Sequence, residues 1–226
     1  MAAGSVEEPR FRRSLLVSDE AHFYLNGQVN KQNCRVWGLE NPHTLVESEQ
    51  HPQYVTVWCG LTSRGIIGPH FFQTRGRAGG VVQTVTAARY QSMLEKVLVP
   101  KLERQHIQTS GLWFQQDGAT PHTSRGVLSY LQEVFPGKVI SKGGDVPWPP
   151  RSPDLSPLDF FLWGHLKATV YGTPVRSLRE LRQRLRTAVR HVPQRALRAA
   201  LDQLPHRCRW CLRRRGAHME TLLTHN

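Results

Sequence analysis

Residues 54–72, YVTVWCGLTSRGIIGPHFF, constrain the fold more than any other segment. Two runs rich in β-branched and aromatic residues flank a polar break at Ser63, Arg64 and Gly65, which is the pattern of a β-hairpin. A hairpin alone cannot bury its apolar face, so the rest of the chain must supply partners. The apolar run Leu15, Leu16 and Val17 opens a buried strand. GQVNKQNCRVWG reads as a polar edge strand, GLWFQQD as a strand ending at Asp117, and KVIS as a short one.

Helical periodicity fills the intervals. TAARYQSMLEKVLVPKLER places Tyr90, Leu94, Val97, Leu98 and Leu102 on one face, with a break or kink expected at Pro100. HTSRGVLSYLQEVF is a second helix. A third is expected to start at residues 157–159, where proline suits the first turn, and to run through FFLWGHLKATVY. SLRELRQRLRTAVRHV, then QRALRAALDQL and a last helical stretch, complete the chain. Residues 1–13 read as a flexible lead, TRGRAGG (74–80) as a loop and VPWPPRSPDLSPLD as an extended proline loop. The order describes an α/β fold with an antiparallel start and a partly parallel finish.

The charge narrows the partners. Thirty Lys and Arg against 17 Asp and Glu give a formal net charge of +13. A polyanion such as DNA is the simple counterpart, because basic side chains release counterions from phosphates. No apolar run is long enough to span a membrane. The N-terminal residues lack the apolar core of a secretory signal. With no sign of secretion, Cys34, Cys59, Cys208 and Cys211 are expected to be reduced. Cys208 and Cys211 form a CxxC near His206 and His218; without a second pair, it reads as thiols on a helix rather than a zinc site.

Three acids stand where regular elements meet loops. Asp19 closes the first strand, Asp117 closes GLWFQQD, and Asp159 begins a helix. Carboxylates are the hard oxygen ligands that Mg²⁺ prefers, and two such ions about 4 Å apart can stabilise both the attacking and the leaving oxygen of a phosphodiester exchange. By spacing alone the pattern is weak, since an Asp at such positions is commonly a turn former or a helix cap.

The words around those acids say more. VSDEAHF, VTVWCGLTSRGIIGPHFF, WFQQDGATPHTS and WPPRSPDLSPLDFFLWGHLK resemble the catalytic domain of mariner-type transposases, a branch of the DDE/D superfamily. The resemblance runs from about Leu15 to the C-terminus and lacks the helix-turn-helix region that precedes the core in that family. It implies a ribonuclease-H-like fold, a mixed five-stranded sheet flanked by helices with extra C-terminal helices. It implies Asp19, Asp117 and Asp159 as catalytic metal ligands, Mg²⁺ or Mn²⁺ as a pair of ions, and cleavage and transfer of DNA strands in the nucleus. A homodimer is expected because two element ends must be paired; a membrane or small-molecule partner is not. The expected organisation is a lead (1–13), a catalytic core (14–175) and an arginine-rich helical extension packed on it (176–226). A domesticated or relic DNA-binding protein that no longer cuts is the alternative.

Other residues carry lesser expectations. His122, Lys138, Lys142 and Arg151 are candidates for gripping DNA phosphates; for His122 a hydrogen-bonding or capping role is the favoured alternative, and for the other three a solvated face is the equal one. His22 has the same two readings. Glu20 is expected to point away from Asp19 along the strand. Of Gln115 and Gln116, one should face the core and one the site. Trp148 and its prolines are expected to wall the cleft, Trp163 to lie in the core, and Asp154 to shape the proline loop without binding metal.

Overall fold

The computed structural model describes residues 8–27, 52–74 and 80–216. A five-stranded sheet in the order β3-β2-β1-β4-β5 lies at its centre. β1 (Leu15–Tyr24), β2 (Tyr54–Thr62) and β3 (Gly65–Phe71) form the antiparallel half. β4 (Trp113–Gln115) and β5 (Val139–Ile140) add in parallel, with Val17 opposite Gln115 and Phe114 opposite Val139. The expected hairpin is present, its turn closed by Thr62 Oγ1, which accepts from the backbone N–H of Arg64 and of Gly65. The proposed strand GQVNKQNCRVWG lies outside the described residues, as does most of TRGRAGG.

Both faces of the sheet are covered, and β1 shows why. Alternate side chains of a strand point to opposite faces. Leu15, Val17 and Phe23 enter one apolar cluster, shared with α4 (Trp163–Val170), α5 (Leu178–His191) and α6 (Gln194–Arg213). Leu16 enters the other, shared with α2 and with α3 (Arg125–Val134). Here α2 runs Ala87–Met93, then a π-helical turn Leu94–Leu98, then Val99–Arg104.

Pro100 behaves differently from expectation. It does not end α2: the wider π turn just before it absorbs the missing N–H, and Leu94, Leu98 and Leu102 all stay fully buried. Pro205 sits inside α6, which is one continuous helix rather than two stretches. The expected lead also contains structure: α1 (Pro9–Arg13) buries Phe11, whose ring centroid lies 5.5 Å from that of Trp113.

The C-terminal arginines hold elements together as well as carrying charge. Arg184 donates to the carbonyls of Val170, Thr173 and Pro174, gathering the end of α4. The guanidinium of Arg182, 5% exposed, donates to Gln73. Arg207 stacks over Phe160 at 3.8 Å and donates to the Asp154 carbonyl, pinning the proline loop to α6.

Candidate active-site cleft

A cleft of about 670 Å³ opens beyond the end of β4 and beside the middle of β1, where Asp19 stands mid-strand instead of closing the strand as expected, because pairing with β2 continues to Tyr24. Asp19 reaches it from β1, Asp117 from the loop after β4, and Asp159 from the π-helical turn Leu158–Leu162 that leads into α4. Parallel pairing of β1 with β4 carries the first two to the same side of the molecule. The proline loop delivers the third, with Ser156 Oγ accepting from the Asp159 backbone N–H at 3.4 Å. Trp148, Pro149, Pro150 and Pro153 wall the opposite side, as expected.

The carboxylates differ in environment. Burial, then the Asp159 and Glu20 charges, push the Asp19 carboxyl well above its ordinary range; Trp163, whose Nε1–H donates to Asp19 Oδ2 at 2.8 Å, acts against this. Carboxylates crowded at low polarity favour a cation among them. For Asp117, burial pulls upward, but contact with His122 and the Ala119 N–H outweigh it and its carboxyl is held below the usual range. His122 Nδ1 lies 2.5 Å from Asp117 Oδ1, and its Nε2 lies 3.2 Å from Glu20 Oε2. Burial alone would lower the His122 imidazole, yet these two contacts raise it to about 10. Two buried oxygens near the cleft have no hydrogen-bond partner, Gln115 Oε1 and Glu20 Oε1. Among the described residues, no group of three or more His, Cys, Asp and Glu side chains stands ready-made to hold a metal ion.

No protein-family model matches the chain. The transposable element Tc3 transposase of Caenorhabditis elegans is 27% identical over 207 residues, 89% of this chain and 56% of that protein. The chain thus spans little more than half the length of this curated relative. The Mos1 transposase paired-end complex with left transposon end superposes with a TM-score of 0.72 at 18% identity, covering 96% of this chain and 59% of that one. The catalytic domain of Mos1 mariner transposase gives 0.67 at 18% identity, covering 96% and 89%. The Mos1 catalytic domain with Raltegravir and Mn gives 0.67 at 17%, covering 96% and 90%. The chain is similar to the Tc3 transposase and has the ribonuclease-H-like fold of the Mos1 catalytic domain.

Within this transposase fold the structure sorts the expected site residues. Asp19, Asp117 and Asp159 line one cleft, with Lys142 and Arg151 beside them. Arg151 holds a φ of 52°, a left-handed backbone unusual for a non-glycine residue and typical of functional loops. Lys138 does not line the cleft; its ammonium donates to the Ser110 carbonyl. His122 is no phosphate contact in this arrangement, because the ring is 3% exposed and both nitrogens face carboxylates. His22 pairs with Thr56 Oγ1 at 3.1 Å and packs on Tyr54. Asp154 is buried outside the cleft. Cys208 and Cys211 pack against the apolar cluster of α4–α6.

Glu20 points to the face opposite Asp19, as alternation requires, yet still lines the cleft while its Oε2 meets His122 Nε2. Gln116 is the core member of its pair, fully buried and bonded to the His122 carbonyl and Ser141 Oγ, while Gln115 lines the cleft. Trp163 is in the core as expected, but its tie to Asp19 had no signal in the sequence. The two residues are 144 positions apart, and an indole reads as apolar bulk until its N–H is given a partner.

Proposed function

We propose that this chain is a transposase-derived catalytic domain that cuts DNA strands and transfers the freed 3′-hydroxyl by divalent-metal phosphodiester chemistry. The observation that carries the reading is the convergence of Asp19, Asp117 and Asp159, from three separate elements, on one cleft. The donor set suits Mg²⁺ or Mn²⁺: carboxylate oxygens, two of them mutually repelling, beside the unpartnered buried oxygen of Gln115 in the cleft lining. Solved structures of the similar Mos1 catalytic domain with Mn and with Mg support the choice of ion. A pair of such ions, when bound, activates water or a 3′-hydroxyl and neutralises the leaving oxygen.

The chain's own residues do the rest. Asp19, Asp117 and Asp159 hold the cations. Trp163 keeps Asp19 oriented by its N–H. Lys142 and Arg151 draw the phosphate backbone toward the carboxylates, and the wall of Trp148 and prolines confines the strand. The excess of positive charge favours DNA at long range. The similarity to paired-end complexes supports DNA as partner; a homodimer as the working form and action in the nucleus complete the reading. Residues 14–175 serve as the catalytic core and 176–226 as its helical extension.

A second reading, DNA binding without cleavage, draws on one observation: Asp117 is engaged with His122, and no ready-made group of three metal-ligating side chains stands among the described residues. Incubating the purified chain with supercoiled plasmid and Mg²⁺ or Mn²⁺, beside Asp117→Asn and Asp159→Asn, separates the two. Metal-dependent nicking lost in both variants is expected. Folded protein that binds DNA and never nicks would favour the second reading.

A further inference from the structure

The contact that argues for a silent site has another use. Asp117 Oδ1 accepts twice, from the His122 ring and from the Ala119 backbone N–H at 3.0 Å. No described residue donates to Oδ2, while the Asp117 side chain is 51% exposed and lines the cleft. The carboxylate is therefore fixed through one oxygen and open through the other.

His122 is itself held on every side. Its backbone N–H donates to the Ala119 carbonyl at 3.0 Å, and its own carbonyl accepts from Gln116 Nε2 at 2.9 Å. The ring lies 4.2 Å from that of Tyr90, and the Tyr90 hydroxyl donates to Gln116 Oε1 at 2.9 Å. On the far side Nε2 meets Glu20 Oε2 at 3.2 Å. An imidazole facing a carboxylate at each nitrogen donates from both, and the Glu20 charge offsets the positive charge this places beside Asp117. The arrangement joins β1, the loop after β4 and α2 around one side chain that faces away from solvent.

We propose that Glu20 and His122 form a positioning pair that aims Asp117, binding Oδ1 so that Oδ2 is presented to the cation in the cleft. The assignment rests on the metal-dependent reading above and adds to it the pair that orients the second acid. Neither residue touches the cation or the DNA. Hydrogen-bonded supports behind a ligating carboxylate fix its orientation, and their removal weakens metal binding by about 10–100-fold. His122 at the helix-side end of the loop and Glu20 on the neighbouring strand act as one unit, so losing either should be felt at Asp117.

Mn²⁺ binding, followed by the electron-paramagnetic-resonance signal of the free ion, tests this without any DNA. The chain, Asp117→Asn, Glu20→Gln, His122→Gln and His122→Asn are titrated, with circular dichroism reporting the fold. An Asn amide nitrogen takes the place of Nδ1, whereas a Gln amide nitrogen takes that of Nε2. His122→Gln should weaken Mn²⁺ binding about ten-fold or more, and His122→Asn should recover most of the loss. Glu20→Gln should fall between them. Equal loss in both His122 variants would mean that the ring merely fills space and would overturn the pair, as would unchanged binding in both. Binding by the unaltered chain that ignores Asp117→Asn, or no binding at all, would overturn the metal reading and the pair with it.

Discussion

Trp163 Nε1–H donates to Asp19 Oδ2 at 2.8 Å, so the core side chain that anchors α4 also restrains an acid at the cleft. The indole is buried, with its ring 6.2 Å from that of Phe23 on the same strand as Asp19. Trp163→Phe keeps most of the packing and deletes the donor. A hydrogen bond to a charged group contributes about 1.5–3 kcal/mol, so nicking by this variant should fall at least about ten-fold while the fold survives. Plasmid nicking beside a thermal melt checks both halves of that expectation.

Asp19 should make the metal-free protein less stable as pH rises. Its carboxyl is raised in the folded state, first by burial and then by the Asp159 and Glu20 charges. A raised group contributes stability that is whole below its unfolded value, near 3.8, and is lost as pH climbs through the folded one. Asp19→Asn removes that loss, so in chelator at pH 7 it should melt higher than the unaltered chain, by about 2–4 °C for each kcal/mol relieved. The gap should close near pH 4. Added Mg²⁺ should raise the melting temperature of the unaltered chain and not that of the variant.

His122 sets a limit on the alkaline side. Its imidazole is raised to about 10 despite burial, by Asp117 and Glu20. The stability it contributes is complete below about 6.5 and disappears as pH rises through 10. Melting temperature should therefore decline across that window in the unaltered chain. His122→Gln should show a flatter profile and a lower plateau at pH 7, by on the order of 1–3 kcal/mol. A plateau equal to that of the unaltered chain would mean the contacts add nothing to the fold.

Tyr90→Phe tests the buried network behind the cleft. The hydroxyl donates to Gln116 Oε1 at 2.9 Å, and both side chains are fully buried. Removing it strands the amide oxygen, at a cost of about 1–3 kcal/mol. Urea unfolding should show a lower midpoint with an unchanged slope.

DNA affinity should discriminate among the lysines and arginines around the cleft. Lys142→Ala and Arg151→Ala each remove a cation from its lining, whereas the Lys138 ammonium is occupied by the Ser110 carbonyl. Each of the first two should lower the dependence of log affinity on log salt by about one, and Lys138→Ala by less. Fluorescence anisotropy of a labelled duplex at several salt concentrations measures the slopes.

Much was legible from local pattern. The hairpin at residues 54–72, the face of α2 carrying Tyr90, Leu94, Leu98 and Leu102, and the α/β order all follow from periodicity and turn chemistry, which depend on neighbours in the chain. The acids were legible as words, QQDGATPHTS and SPDLSPLDFF, whose likeness to mariner-type transposases agrees with the fold. Pro100 was misleading because a proline breaks a helix only where its surroundings do not compensate, and here a π turn and continued burial do.

By itself, then, the sequence determined the hairpin, the main helices and the charge, and singled out the acids as candidates, because each of these is a property of adjacent residues. Tertiary structure decided which side chains meet. His122 reads as a hydrogen-bonding residue or a phosphate grip with no named partner until β1 lays Glu20 beside it and the loop after β4 folds Asp117 onto its other nitrogen. Trp163 reads as apolar bulk until α4 brings its N–H to Asp19. Glu20 and His122 lie about a hundred positions apart and Trp163 and Asp19 lie 144 apart, and only burial and strand register, which no local pattern contains, make them neighbours.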